Sequence, residues 1–371
     1  MSVVGCAEHI AVAKEVAEKG ITLIKNNGVL PLKKDEIKKL AVIGKLGNVA
    51  NIGDHGSSWV RPPYVVTPEE GLKKANPGCE VVFNDASDLE SAKALAKEAD
   101  AVVFVVGYNH DDEGEFISED QSENYIGSMG GDRKKSLGLH EDEVKLLQEV
   151  GPVNDKSTVV LIGGNMIMMT EWYGCVNAVM MAYYPGMEGG TAIAEIIYGD
   201  VNPSGKLPYV VPYSEDDLPH VDWEATDQYY EYYHGYTRLE KNGVKPLIPY
   251  GYGLSYTTFE ITDPKAETDG TNLKVRAKVK NTGDRDGDEV VQVYVGFEHS
   301  AVDRPVKQLR GFQRVSLKAG EEKVVEIVTP LEKLKWYNPV YREWQLEHME
   351  YPIYVGSSSA EEDLKKTNIT L

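Results

Sequence analysis

The chain is poor in cysteine. Cys6, Cys79 and Cys175 are the only three in 371 residues. They are far apart and odd in number, so no disulfide framework and no metal-ligand spacing is visible, and a reducing, cytoplasmic compartment is expected. The eight histidines are scattered. Without HExxH or any paired ligands, no metal site is expected. No apolar run approaches the 18 or so residues of a membrane span. Basic residues are also in deficit: 39 Lys and Arg against 59 Asp and Glu give a net charge of -20. That argues against nucleic acid and against an anionic membrane surface as partners. Gly44-x-x-Gly47 is neither a dinucleotide fingerprint nor a phosphate-binding loop, and no cofactor is expected.

What is present is enough apolar sequence, 42% of the chain, to bury real cores in two domains. Residues 7–25 carry Ile10, Val12, Ala13, Val16 and Ala17 at helical spacing, an amphipathic helix ending near Gly20. Short apolar runs then alternate with helical patterns. Strands are expected at Leu40–Gly44, Val81–Phe83, Ala101–Val106, Thr158–Gly163 and Ala178–Tyr183. Helices are expected after Thr67-Pro68-Glu69-Glu70, over Leu89–Ala99, from His140 to about Val150, and over Thr191–Tyr198. That alternation implies a mostly parallel sheet with helices on both faces.

Asp200 to Pro219 is proline-rich and aperiodic and marks the end of this first domain. Residues 228–259 are crowded with tyrosine. Sugar stacking and packing between domains both use such a surface. From Leu273 the apolar period becomes two, and several short alternating strands suggest an all-β sandwich of fibronectin type III kind. The expected division is an α/β sandwich domain over 1–212, an aromatic-rich connector over 213–260, and the β-sandwich over 261–371.

The strand at Ala101–Gly107 empties into a long acidic loop, Tyr108 to Arg133, with no helical or strand period. Ligands of open α/β sheets lie outside the carboxyl ends of the strands, and long irregular loops are commonly functional. The acids from Asp111 to Glu123 have two readings: a solvated acidic face, or a loop in which one carboxyl does acid/base work.

Several segments are highly specific. They include Tyr184-Pro185-Gly186 with Glu188-Gly189-Gly190, Gly199-Asp200-Val201-Asn202-Pro203-Ser204-Gly205-Lys206-Leu207-Pro208, and Gly251-Tyr252-Gly253-Leu254-Ser255-Tyr256-Thr257-Thr258-Phe259. Asn281-Thr282-Gly283, Val290 to Val295 and Leu309-Arg310-Gly311-Phe312 continue the series. In this order they resemble the second half of glycoside hydrolase family 3, the β-glucosidase and β-xylosidase family.

The resemblance implies an α/β sandwich followed by a fibronectin type III-like domain. In the family a TIM barrel accompanies these two and carries the aspartate nucleophile, and the sandwich lends the general acid/base from a loop after a sheet strand. The best counterpart of that acid/base is Glu113 in Asp111-Asp112-Glu113-Gly114-Glu115-Phe116. Glu115 stands where the family has an aromatic residue, and is the alternative. Acidic neighbours such as Asp112 and Glu115 would raise the pKa of Glu113 by like-charge repulsion. Asp222-Trp223 superficially resembles the nucleophile motif, but it lies in the connector with no barrel strand before it. A barrel needs about 250 residues, and the two accessory domains fill the chain. The nucleophile is therefore expected on another chain, in a homo- or hetero-oligomer acting on a β-glycoside. The runner-up is a carbohydrate-binding or assembly module of the same descent without catalysis.

Overall fold

The computed structural model describes residues 3–53, 55–114, 133, 136–222 and 225–371. It divides into two units, Met1–Gly205 and Lys206–Leu371.

The first unit is built on a six-stranded sheet. Its strands are β1 (Thr22–Asn26), β2 (Lys39–Ile43), β3 (Glu80–Asn84), β4 (Ala101–Gly107), β5 (Ser157–Ile162) and β6 (Ala178–Tyr183), in the order β1-β6-β5-β4-β2-β3. The two central strands, β4 and β5, are buried at every residue. That is why they read as continuous apolar runs rather than alternating ones. β2 to β6 are mutually parallel, as the alternation with helices predicts. β1 departs from this and pairs antiparallel with β6 at the edge. No helix separates it from β2, so the crossover argument for a parallel neighbour never applied to it.

Helices α1 (Ala7–Gly20), α2 (Pro68–Ala75), α3 (Leu89–Glu98), α4 (His110–Glu113), α5 (Glu141–Val150) and α6 (Gly189–Ile197) complete the unit. α1 and α2 pack on α6, and α3 packs on α5. The start of α2 is the capping box expected from its sequence: Glu70 N–H donates to Thr67 Oγ1 at 3.3 Å and Thr67 N–H to Glu70 Oε2 at 3.2 Å. The chain order turns at the β2–β4 pair, since β3 extends the sheet on one side and β5 and β6 on the other. A switch point of this kind leaves a crevice at the carboxyl ends of the strands. α4 begins three residues beyond the end of β4.

The second unit carries α7 (Gly235–Lys241) ahead of its strands. It then forms the strands β7 (Phe259–Thr268), β8 (Asn272–Asn281), β9 (Gly287–Gly296), β10 (Lys307–Leu317), β11 (Glu322–Pro330), β12 (Trp336–Asn338), β13 (Glu343–Gln345), β14 (Glu350–Gly356) and β15 (Leu364–Thr370). One sheet is β10-β9-β14-β15 and the other β11-β8-β7, both antiparallel, with a hairpin of β12 and β13. The inward residues Val275, Ala277, Val279, Val291, Val293 and Ile353 share one core. The alternation seen in the sequence of β8, buried at every second position, is the imprint of that core. β7 and β15 escape a period-two reading for local reasons. β7 contains Pro264, with Asp263 at φ 52° and a register shift between Thr262 and Lys265. β15 is a sheet-edge strand with few inward apolar residues.

The tyrosine-rich segment divides between two roles. Tyr236 stacks on Tyr250 at 4.6 Å and meets Tyr294 edge-on at 6.3 Å, and its hydroxyl accepts Leu309 N–H at 3.0 Å. Tyr229, Tyr230 and Tyr232 are exposed. Among the described residues no helix is long and apolar enough to cross a membrane.

Candidate active site

The acidic stretch after β4 does not run straight into irregular chain. Asn109 caps a single helical turn: its side chain accepts Asp111 N–H at 2.8 Å, and Asp112 Oδ2 accepts Asn109 N–H at 3.1 Å. That turn is α4, four residues long and too short to leave a period in the sequence. Its last residue is Glu113.

The Glu113 carboxyl lies at the carboxyl ends of the parallel strands, 13% exposed. Oε2 accepts Gly164 N–H at 2.6 Å, just past β5, and Tyr184 O–H at 2.7 Å, just past β6. Oε1 is 3.1 Å from Nε of Arg133. Charge-assisted contacts of this kind are the stronger class of hydrogen bond. The backbone is shaped to allow them. The β5–β6 register skips a residue between Leu161 and Ile162, and Tyr183 sits at φ 56°. This bulge turns the chain so that Tyr184 points at the carboxyl, and bulges that re-aim a side chain in this way recur beside active sites. At Gly164 a Cβ would stand 3.4 Å from Glu113 Oε2 and 3.2 Å from the Tyr184 ring, so glycine is what lets the N–H reach the carboxyl.

Arg133 is itself held. Its Nη2 donates to Met166 O at 2.9 Å. Its guanidinium lies over the Tyr108 ring at 4.4 Å, and Tyr108 donates its hydroxyl to Gly138 O. Beside α4 is an aromatic shelf in which His55 stacks on His110 at 3.5 Å and on Trp59 at 4.8 Å, with Arg61 over Trp59 at 4.3 Å.

Of the like-charge neighbours expected around Glu113, only Asp112 lies among the described residues. Asp112 is turned away, tied to the backbone of Asn109 and 3.1 Å from His140 Nε2. Among the described residues the charged group that faces Glu113 is the Arg133 guanidinium. The alternative, Glu115, lies outside the described residues, as does Trp223 of the Asp222-Trp223 pair. Among the described residues no cluster of His, Cys, Asp and Glu could hold a metal ion.

Three partners of Glu113 received no role from the sequence. Gly164 and Tyr184 follow strands that were recognised, and residues just past the ends of central parallel strands could have been nominated on that ground alone. Arg133 carried no signal, because its distance from Glu113 along the chain is bridged only by the fold. Burial first, and then the Glu113 carboxylate, push the Tyr184 phenol above its ordinary range, so it remains a donor at any physiological pH. Tyr184→Phe keeps the ring and deletes the donor. The expected cost is about 1–2 kcal/mol, at the lower side of what hydrogen bonds to charged groups contribute because the phenol is only part-buried. Urea unfolding of the two proteins checks it.

Comparison with known proteins agrees with the architecture. The glycosyl hydrolase family 3 C-terminal domain matches residues 21–256, and a fibronectin type III-like domain matches 289–359. A β-xylosidase of Formosa agariphila is 34% identical over 99% of this chain and 51% of its own length. The thermostable β-glucosidase B of Acetivibrio thermocellus is 32% identical over 97% of the chain and 48% of its own. Among solved structures, β-glucosidase 3B of Thermotoga neapolitana superposes with a TM-score of 0.83 at 27% identity, over 98% of this chain and 54% of that one. The chain thus spans about half the length of the curated relatives it matches. By these matches it is a member of glycosyl hydrolase family 3, represented here by its C-terminal α/β domain and its fibronectin type III-like domain.

Proposed function

We propose that this chain is the acid/base-bearing part of a retaining, exo-acting β-glycosidase, with Glu113 as the general acid/base. The observation that carries the reading is the placement of Glu113: a carboxyl at the carboxyl ends of the parallel strands, gripped by Gly164, Tyr184 and Arg133. The nucleophile comes from a TIM barrel outside these 371 residues, supplied by a partner chain. The matched relatives are about twice as long as the part they share with this chain, which leaves ample room for a barrel of roughly 250 residues.

In the first half of the reaction Glu113 gives its proton to the glycosidic oxygen while the barrel carboxylate attacks the anomeric carbon. The glycosyl–oxygen bond breaks and a glycosyl-enzyme forms. In the second half the Glu113 carboxylate takes a proton from water as that water attacks the same carbon, which restores both groups. Three donors converging on the carboxyl suit the second, ionised form. Proton delivery requires the Oε1 side to leave Arg133, while Gly164 and Tyr184 keep Oε2 in place.

β-Glucosides, and then β-xylosides, are the expected substrates, in keeping with the relatives' names. The purified chain is expected to be inert on aryl β-glucosides and to become active when a family 3 barrel chain is added. Robust hydrolysis by the 371-residue chain alone overturns the division of labour.

A further inference from the structure

Glu143, in the first turn of α5, is 5% exposed. Its Oε1 accepts Gly107 N–H at 3.1 Å at the very end of β4, and its Oε2 meets no donor among the described residues. Other buried glutamates are partnered: Glu69 by Lys73, Glu188 by Tyr64 and Thr191, Glu289 by Lys206. A buried carboxylate with one bare oxygen is costly. The neutral acid is the form that suits this place, and ionisation obliges Oε2 to find a donor.

The amide that Glu143 holds is the first of a short physical chain to Glu113. Gly107 lies against β5, and the next N–H, that of Tyr108, donates to Ile162 O at 2.9 Å. The Tyr108 ring supports Arg133, and Arg133 grips Glu113. Asn109, two residues beyond Gly107, caps the turn that ends in Glu113.

We propose that Glu143 is a positioning residue that acts as a proton-dependent latch. When neutral it keeps the β4–α4 corner closed over a dry Oε2. When ionised it draws a donor into the corner and loosens the support beneath Glu113. The inference concerns the placement of Glu113 and stands apart from what Glu113 does chemically.

The groups that act electrostatically on Glu143 are His140 and Asp142 from its own helix, Lys45 from the turn after β2 and Tyr108 from the end of β4. α3, packed on α5, buries only Ala92 and Ala96. Burial dominates over the backbone amides of Gly107 and His140, which act the other way, and pushes the Glu143 carboxyl up to about 7. The sign follows from linkage. A carboxyl whose folded pKa is raised binds its proton more tightly in the folded state. Its contribution to stability is present at acid pH and is lost as pH rises to about 7.

The test uses the whole chain, labelled with nitrogen-15 and deuterium, titrated from about pH 5 to about pH 8.5, across the expected midpoint. The Gly107 amide and the Arg133 Nε–H signals should move together with a midpoint near neutrality in the wild type. Both should stay fixed in Glu143→Gln, which retains the carbonyl that accepts Gly107 N–H. Over the same interval the wild-type Tm should fall relative to the variant by roughly 5–10 °C. His140→Asn separates the neighbouring imidazole and also serves if the Gln variant does not fold. Persistence of the titration in that variant supports the latch. Flat signals in the wild type, an unchanged titration in Glu143→Gln, or its loss in His140→Asn would each overturn it.

Discussion

Glu113→Gln is expected to lower kcat/KM of the barrel-complemented enzyme by roughly 100- to 10,000-fold on glycosides with poor leaving groups, the range in which a positioned acid or base contributes. The loss should shrink on substrates whose leaving phenolate departs without a proton, because the first half-reaction then no longer needs the acid. A plot of rate against leaving-group pKa becomes much steeper in the variant, and that steepening separates loss of a proton donor from general damage. A second effect accompanies it. In the native site Oε2 takes two donors and Oε1 takes Arg133. Whichever way the new amide turns, one of those donors faces an NH2 group. The variant should therefore lose some stability as well, and its unfolding midpoint needs to be measured beside its kinetics. Glu115→Gln is the control. Should it, and not Glu113→Gln, steepen the leaving-group dependence, the acid/base is Glu115.

Gly107→Ala is expected to be the most damaging single substitution near the site, with a cost of roughly 3–5 kcal/mol, at the upper end of what point changes do. Two causes act together. Gly107 has φ +130°, a region that side chains rarely enter, and an added Cβ would stand 1.9 Å from the carbonyl oxygen of Ile162. That oxygen belongs to the backbone of the neighbouring central strand and also accepts Tyr108 N–H, so it has no freedom to give way. Either β4 parts from β5 at its end or the corner unwinds. Both routes displace Asn109, α4 and Glu113. Chemical denaturation should show the loss of stability, and where the chain still folds, the Arg133 Nε–H signal should lose the environment of its ion pair. A variant as stable as the parent would mean that the strand end is far more pliant than its packing indicates.

The central strands were legible because β4 and β5 are buried on both faces, and burial on both faces is written as an unbroken β-branched run. The capping box at Thr67 was legible because all its members lie within four residues. The β-sandwich was legible where one face of a strand is dry and the other wet, as in β8, and illegible in β7 and β15, where a proline, a bulge or an edge position removes the alternation. The family resemblance narrowed the acids of the stretch to Glu113, with Glu115 as the alternative.

The sequence could not supply what surrounds that carboxyl. The direction of β1 was left open, since a short apolar strand carries no sense of direction and no crossover helix joins it to β2. Tyr184 is brought to Glu113 by a bulge and a left-handed residue at the end of β6, and such features depend on how neighbouring strands fit. Arg133 and Glu143 reach the site from other parts of the chain, one onto the carboxyl and one beneath the strand that leads to it. Local sequence determined which residues could ionise and where the chain would turn. Tertiary packing decided which charge faces which, because that depends on distances set by the whole sheet.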